Sequence, residues 1–212
     1  GCPHRGLYYV LGKLKLTVCS DIGCYTLGAL PPLSGVDTCV CMGASIGMAH
    51  GMEKARGHEQ AKKTVAVLGD STFCHSGLTG LLNMAYNRAV GTVIIADNSI
   101  TGMTGHQDNP GSGYTITGEH AYPADIEGVA RAFGMTDIHK VNPMDLEATR
   151  KALKEAIATG ATTITYGDKT VSYRSLAEMK DLVRMIEEEL FPERRLRRRR
   201  LACIDRGYFS KR

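Results

Sequence analysis

The chain has 212 residues, 43% of them apolar, with a formal net charge of +4, seven cysteines and no tryptophan. That is enough for one medium domain with a real core and a small appendage. No run approaches the ~18–20 apolar residues a membrane helix needs, no charged-then-apolar leader opens the chain, and the scattered cysteines lack CxxC pairs, so a soluble, cytoplasmic protein with reduced thiols is expected rather than a disulfide scaffold.

Gly1–Gly6 starts abruptly, as though cut from something longer. Leu7–Leu16 is a predicted short helix and Leu16–Cys19 a strand ending at Asp21. Ile22–Pro32 is a loop punctuated by Gly and Pro. Thr38–Met42 follows as a short strand, Gly43–Lys54 as a helix of small residues, and Ala55–Lys63 as a polar turn. Thr64–Leu68 and Thr92–Ala96 are β-branched, apolar runs of buried-strand length, with a helical pattern over Leu78–Ala89 between them. Thr101–Tyr122 is a long loop rich in Gly, Thr, Asn and His, and a structureless stretch of that length inside a compact domain is usually functional. Asp125–Phe133 is predicted as a helix with Asp125 at its start, Thr136–Val141 as a strand, and Pro143–Ala158 as a periodic helix carrying Leu146, Thr149, Leu153 and Ile157. Strands alternating with helices predict an α/β fold with a doubly wound parallel sheet.

The pattern changes after residue 158. Ala161–Tyr166 and Thr170–Tyr173 flank a Gly167–Asp168 turn and read as a hairpin. Ser175–Leu190 reads as an amphipathic helix with Ser175 at its N-cap and Glu178 at the capping-box position. Pro192 stops it, and Arg194, Arg195, Arg197, Arg198, Arg199 and Arg200 follow. The expected division is therefore 1–158 and 159–212, a doubly wound domain followed by a small α+β hairpin–helix unit.

The chemistry gathers at the carboxyl ends of the two apolar strands, the edge where parallel sheets bind ligands. Gly69 lets the backbone turn, Asp70 puts an oxygen donor at one strand tip, and Asn98 puts a second at the next. Amides at the following helix start would face an anion. Two oxygen donors beside such a helix start outline a Mg²⁺–diphosphate site. The plainer alternative is that Asp70 and Asp97 only cap turns after strands.

Gly69-Asp70-Ser71, followed after 26 intervening residues by Asn98, is similar to the thiamine diphosphate motif, with Ser71 in place of its last Gly and Asp97 in place of its first Asn. Five ordered blocks, Gly1–Arg5, Asp21–Pro32, Cys41–Met48, Gly69–Gly77 and Asp97–Gln107, resemble the thiamine-diphosphate-binding domain of the indolepyruvate ferredoxin oxidoreductase family (alpha subunit), from residue 1 to about 158. The resemblance implies oxidative decarboxylation of an aryl 2-oxo acid such as indolepyruvate, with ferredoxin as electron acceptor. It implies Mg²⁺ held by the side chains of Asp70 and Asn98 and the carbonyl of Ile100. Gly69, Ser71 and Thr72 would meet the diphosphate, with Met103 and Thr104 in the binding loop. Cys2, Cys41 and Gly43 lie in matched blocks near the expected thiazolium. His75 and His106 are candidates for substrate or diphosphate contact, although a lone loop histidine is often incidental, and a free cysteine is more often a small buried apolar group. Cys39 and Cys41 stand too close together, with too few partners, for a zinc site.

In the resembled family an activating Glu comes from a second domain or subunit, and iron–sulfur clusters sit on other domains or partners. Neither the preceding domain nor a cluster-binding cysteine set is present in these 212 residues. A dimer is expected, and turnover only with the partner domains.

Thr165–Glu178 and its surroundings resemble a second family, the small head–tail joining proteins of tailed phages, W type. This resemblance implies a structural connector acting through residues 143–212, with the small unit beginning at about 143 rather than 159. The Arg block then has three readings: a solvated tail, nucleic-acid binding through phosphate contacts, or an assembly tail.

Overall fold

The computed structural model describes residue 2, residues 4–157 and the strands 163–166, 169–172 and 200–204. In chain order its strands are β1 (Thr17–Ser20), β2 (Thr38–Cys39), β3 (Thr64–Gly69), β4 (Thr92–Ala96), β5 (Ile138–Val141), β6 (Thr163–Tyr166), β7 (Lys169–Ser172) and β8 (Arg200–Ile204). Its α-helices are α1 (Arg5–Leu14), α2 (Ala44–Arg56), α3 (His58–Ala61), α4 (Asp70–Thr72), α5 (Leu78–Tyr86), α6 (Ile126–Ala132) and α7 (Leu146–Ala156). Six strands form one parallel sheet in the order β2-β1-β3-β4-β8-β5. The expected α/β architecture with a parallel sheet is what the chain adopts.

Every residue of β3 and β4 is buried. Central parallel strands are covered on both faces, which is why their sequences read as unbroken apolar runs. Side chains alternate across the sheet. Ala66, Leu68, Val93 and Ile95 pack on one face with Ile46 of α2, Leu81 and Met84 of α5, and Ile126 and Ala130 of α6. Val65, Val67, Ile94 and Ala96 pack on the other with Leu7, Val10 and Leu11 of α1 and Leu153 of α7. Each fully buried Leu, Ile or Val contributes about 1.5–3 kcal/mol. α7 thus packs on this sheet through Leu153, the helix that either neighbour could have claimed on sequence.

Local chemistry starts and stops the helices as expected. Asp125 accepts the Gly128 amide at 2.8 Å ahead of α6, and Asp145 accepts the Ala148 amide at 2.9 Å ahead of α7, the N-cap geometry that satisfies an orphan donor. Other boundaries moved. The strand expected over Thr38–Met42 is only Thr38–Cys39, and the polar turn after α2 contains the single turn α3. The largest shift is after β3. The segment expected as a turn before Leu78 is already helical: α4 begins at Asp70, a π-helical turn spans Phe73–Gly77, and α5 continues to Tyr86. The extra residue in that π turn hides the helical period of the first two turns, and such insertions recur at functional sites.

β6 and β7 pair antiparallel, from Thr163 opposite Ser172 to Tyr166 opposite Lys169, the expected hairpin. Its turn, the helix expected at 175–190 and the arginines up to 199 lie outside the described residues. Arg200 does not remain in a terminal charged block. It opens β8, which inserts between β4 and β5 and pairs parallel with both. The sequence after α7 lacks an immediate apolar strand, and Arg200–Ile204 supplies one later in the chain. The segment was passed over because the arginines before it outweigh five residues of strand pattern. Among the described residues, no helix is long and apolar enough to cross a membrane.

Candidate functional site

β3 and β4 pair in register from Val65 opposite Thr92 to Gly69 opposite Ala96. Asp70 and Asp97 are therefore the first residues past two adjacent strand tips, with Asn98 next. Asp70 is 2% exposed. Asn109, in the loop after β4, donates from Nδ2 to Asp70 Oδ2 at 3.0 Å. Burial pushes the Asp70 carboxyl up to about 6; the Asn109 bond works against this, and the charge of Asp97 adds to it. These are the desolvation, hydrogen-bond and like-charge effects that shift any carboxylate. Among the described residues no lysine, arginine or histidine forms an ion pair with Asp70.

The strand tips hand over to tight turns. Asp97 Oδ1 accepts the Ser99 amide at 2.8 Å and the Ser99 hydroxyl at 3.0 Å. Asn98 Oδ1 accepts the Ile100 amide at 3.2 Å. Ser99 has φ 54°, left-handed. Asp97 thus caps its own turn through Oδ1, the plainer of the two roles considered for it. Asn98 keeps its second oxygen lone pair and its amide hydrogens. A Cβ on Gly102 would meet Asn98 Nδ2 at 3.8 Å and Cys24 Sγ at 3.4 Å, so the loop after β1 reaches the loop after β4. Thr101 donates its hydroxyl to Ser71 Oγ at 3.0 Å. The segments Asp70–Thr72 and Asn98–Thr101 thus leave adjacent strand tips and are joined through Ser71 and Thr101, with Thr72 buried.

The neighbouring strand tip supplies the floor. Asp21, fully buried after β1, accepts the Gly43 amide at 2.6 Å and the Ser45 amide at 2.7 Å. These amides open α2, so Asp21 caps that helix from another strand. Burial raises the Asp21 carboxyl, while the Ser45 and Gly43 amides and the nearby His75 favour its charged form. The Tyr25 hydroxyl accepts the Gly69 amide at 2.9 Å and points back to the Ile22 carbonyl at 3.4 Å. Gly43 has φ +88°, and a Cβ there would lie 2.4 Å from Ser76 Oγ. Only glycine fits that close approach between the α2 start and the π turn.

The remaining expected residues scatter around this centre. His75 is exposed on the π turn and Cys41 on the segment before α2. Met103 is 51% exposed. Thr104 and His106 are exposed on the same long loop, where Thr104 bonds Gln107 and His106 adopts φ 64°. Cys2 is half-buried ahead of α1. Two residues that sequence reasoning passed over stand closer to the chemistry. Asn109 is 7% exposed within a largely exposed loop. His4 is 3% exposed, its ring tied to the Asp97 backbone, its Nε2 without a partner. Burial lowers its pKa, so the ring is neutral at pH 7. The signals available were its place in the first matched block, for His4, and the Asn109-Pro110-Gly111 turn, for Asn109.

These groups fit a hard divalent cation. Asp70 is a buried carboxylate with no cationic side chain paired to it among the described residues, and Asn98, with its side-chain oxygen, follows the tip of the adjacent strand. Mg²⁺ is bound by one or two protein oxygens and its remaining sites go to phosphate and water. Among the described residues no cluster of three or more His, Cys, Asp or Glu could hold a metal, and this donor set, with one carboxylate, is of the other kind. The helix start at Asp70 presents backbone amides beside the same point.

Comparison with known proteins identifies the domain. Residues 21–165 match the thiamine pyrophosphate enzyme C-terminal TPP binding domain. The chain is 40% identical over 192 residues to indolepyruvate oxidoreductase subunit IorA of Thermococcus kodakarensis, covering 84% of this chain and 30% of that protein. It is 44% identical over 169 residues to the subunit of the same name from Pyrococcus horikoshii, covering 74% and 26%. The chain spans under a third of the length of these relatives. A solved 2-oxoglutarate:ferredoxin oxidoreductase from Magnetococcus marinus superposes with a TM-score of 0.56 at 21% identity, over 73% of this chain and 59% of that one; the likeness is one of fold.

Proposed function

The chain belongs to the thiamine pyrophosphate enzyme family through its C-terminal cofactor-binding domain, and from that premise we propose that it binds thiamine diphosphate and Mg²⁺ for a 2-oxo acid oxidoreductase of the indolepyruvate type, with ferredoxin as acceptor. The observation that carries this reading is the buried Asp70 at a helix start, on the strand adjacent to the one that delivers Asn98. The names of the curated relatives supply the reaction class and the aryl 2-oxo acid.

The roles follow from placement. Asp70 through its carboxylate, Asn98 through its side-chain oxygen and Ile100 through its carbonyl hold the cation. The amides at the start of α4 and the hydroxyls of Ser71 and Thr72 take the diphosphate oxygens. Tyr25 fixes the Gly69 amide, and so the angle at which β3 enters that helix. Thiamine diphosphate, when bound, supplies the nucleophilic carbon for decarboxylation, and this chain's part is to bind and orient it. His75, His106, Met103, Thr104, Cys41, Gly43 and Cys2 line the approach, where a substrate or a second domain would stand. The activating Glu and the iron–sulfur clusters come from the remainder of the enzyme, so this chain alone binds cofactor without turnover, and the working assembly is at least a dimer.

The test is a thermal-shift titration with thiamine diphosphate and Mg²⁺. A ligand that binds only the folded state stabilises it by mass action, by about 2.7 kcal/mol at a hundredfold excess over Kd. The midpoint is expected to rise with both components present, and Asp70→Ala is expected to abolish the rise with the fold intact. A folded chain that shows no shift at millimolar cofactor overturns the reading. An unchanged shift in Asp70→Ala places the cation elsewhere.

A further inference from the structure

The loop after β4 is pinned to the start of α4 at two points. Thr101 bonds Ser71 through hydroxyls at 3.0 Å, and Asn109 bonds Asp70 Oδ2 at 3.0 Å. The two pins differ in kind. Thr101 and Ser71 are half-buried, and neither is charged. Asn109 is 7% exposed, and its partner Asp70 is a carboxylate at 2%. Asn109 is itself immobilised: its Oδ1 accepts the Gly111 amide at 2.7 Å. Both ends of its amide are therefore used, one to lock its own orientation and one to hold Asp70. Gly111 closes the arrangement, since a Cβ there would lie 3.1 Å from Asn109 Oδ1 and 3.6 Å from Asp70 Oδ2. The tight approach at Gly111 is to Asn109 Oδ1, while Asp70 Oδ2 lies at ordinary contact distance.

We infer that Asn109 is a positioning residue for the cation, an inference that rests on the proposed role of Asp70. By engaging Oδ2, alongside the backbone amides of Ser71 and Asp70, it holds the plane of the carboxylate and favours ligation through the other oxygen. A carboxylate held in this way binds through one oxygen. That suits Mg²⁺, which takes near-ideal octahedral ligands, and disfavours Ca²⁺, which accepts bidentate carboxylates and variable geometry. Asn109 thus sets which cation the site prefers as well as how tightly the site holds it. Partners that orient a metal ligand commonly account for about 10–100-fold in metal affinity.

The experiment titrates the full chain at saturating thiamine diphosphate with Mg²⁺ and, separately, Ca²⁺, reading the thermal midpoint, with Mn²⁺ binding by electron paramagnetic resonance as a second signal. Asn109→Ala and Asn109→Leu remove the bond, the second while keeping most of the side-chain volume. Thr101→Val releases the other pin and leaves Asp70 untouched. Apparent Mg²⁺ affinity is expected to fall about tenfold or more in either Asn109 variant, with Ca²⁺ changing by less than about threefold. Thr101→Val is expected to leave the Mg²⁺/Ca²⁺ ratio where it was. Equal losses for both cations, no loss for either, or the same shift of the ratio in Thr101→Val would each overturn the inference, because they assign Asn109 to loop docking alone. A cation response that is absent from the unsubstituted chain removes the proposed role of Asp70, and this inference with it. A response that is present there and unaltered in both Asn109 variants removes only the inference.

Discussion

Two aspartates sit one residue past the ends of neighbouring parallel strands, Asp21 after β1 and Asp70 after β3, and they behave in opposite ways. Their depth is the same, 0% and 2% exposed. Burial pushes both carboxyls up. The difference lies in what the oxygens meet. Asp21 meets two backbone amides of α2, at 2.6 and 2.7 Å, with His75 nearby. Asp70 meets one side-chain amide at 3.0 Å, with lesser contributions from the backbone amides of Ser71 and of its own residue, and with the negative Asp97 nearby. The first is a finished structural contact. The second is a buried charge whose neighbours compensate it incompletely, which is the state in which a protein keeps a cation ligand. Burial alone does not distinguish a helix cap from a ligand; the partner list does.

The largest expected consequence is on stability. Asp21→Ala removes two hydrogen bonds to a charged acceptor and leaves the Gly43 and Ser45 amides at a buried helix start. Bonds of this kind contribute about 1.5–3 kcal/mol each, so a loss of about 3 kcal/mol or more is expected in urea denaturation. Thiamine diphosphate should still stabilise whatever fraction remains folded. A loss below about 1 kcal/mol would mean that the α2 start is held by other contacts, and the comparison would lose its structural half.

Asp70→Asn should act in the other direction when no cation is present. The folded-state value near 6 lies above the ordinary one of 3.8. The folded chain therefore holds this proton more tightly than the unfolded chain does. Its contribution to stability is greatest below about pH 4, declines as pH rises towards 6, and stays low above that. Asp70→Asn cannot ionise, so it escapes this decline. In chelator-treated samples at pH 7 it is expected to be more stable than the unsubstituted chain by up to about 3 kcal/mol, the equivalent of a shift of two pKa units, with the difference vanishing near pH 4. Urea melts across pH 4 to 7.5 measure it. A variant that is less stable at pH 7 would make Asp70 a second structural aspartate.

How much of this was legible in the sequence depends on the range of the interaction. β3 and β4 were plain because a strand buried on both faces writes its burial into every position. Asp70 and Asn98 were plain because they follow those strands directly. The caps Asp125 and Asp145 bond amides three residues away, and such contacts are local enough to read. What stayed hidden was non-local or masked by its surroundings. Asp21 caps a helix that begins 23 residues later. Asn109 reaches back 39 residues to Asp70. Nothing in the composition of a largely exposed Gly- and Thr-rich loop marks Asn109 as the side chain that turns inward. β8 was hidden by the arginines that precede it, and the π turn by the extra residue that breaks the 3.6 period.

The smallest expected effect tests whether the two strand tips are independent at all. Tyr25 belongs to the segment after Asp21, yet its hydroxyl accepts the Gly69 amide immediately before Asp70. Its ring stacks on Tyr8 at 6.4 Å between centroids, so Tyr25→Phe keeps the packing and deletes only the hydroxyl. Burial raises the Tyr25 pKa, so the group stays protonated at neutral pH and its bond to Ile22 persists there. The loss leaves the Gly69 amide unsatisfied in a buried position, at an expected cost of about 1 kcal/mol. If the tips are separate devices, this cost adds to that of Asp21→Ala within about 0.5 kcal/mol in a double-mutant cycle, and cation affinity changes by less than about threefold. A coupling energy well above that, or a loss of cofactor response as large as that of Asp70→Ala, would mean that the hydroxyl joins cap and ligand into one unit. The contrast between Asp21 and Asp70 would then be a difference between two ends of the same network.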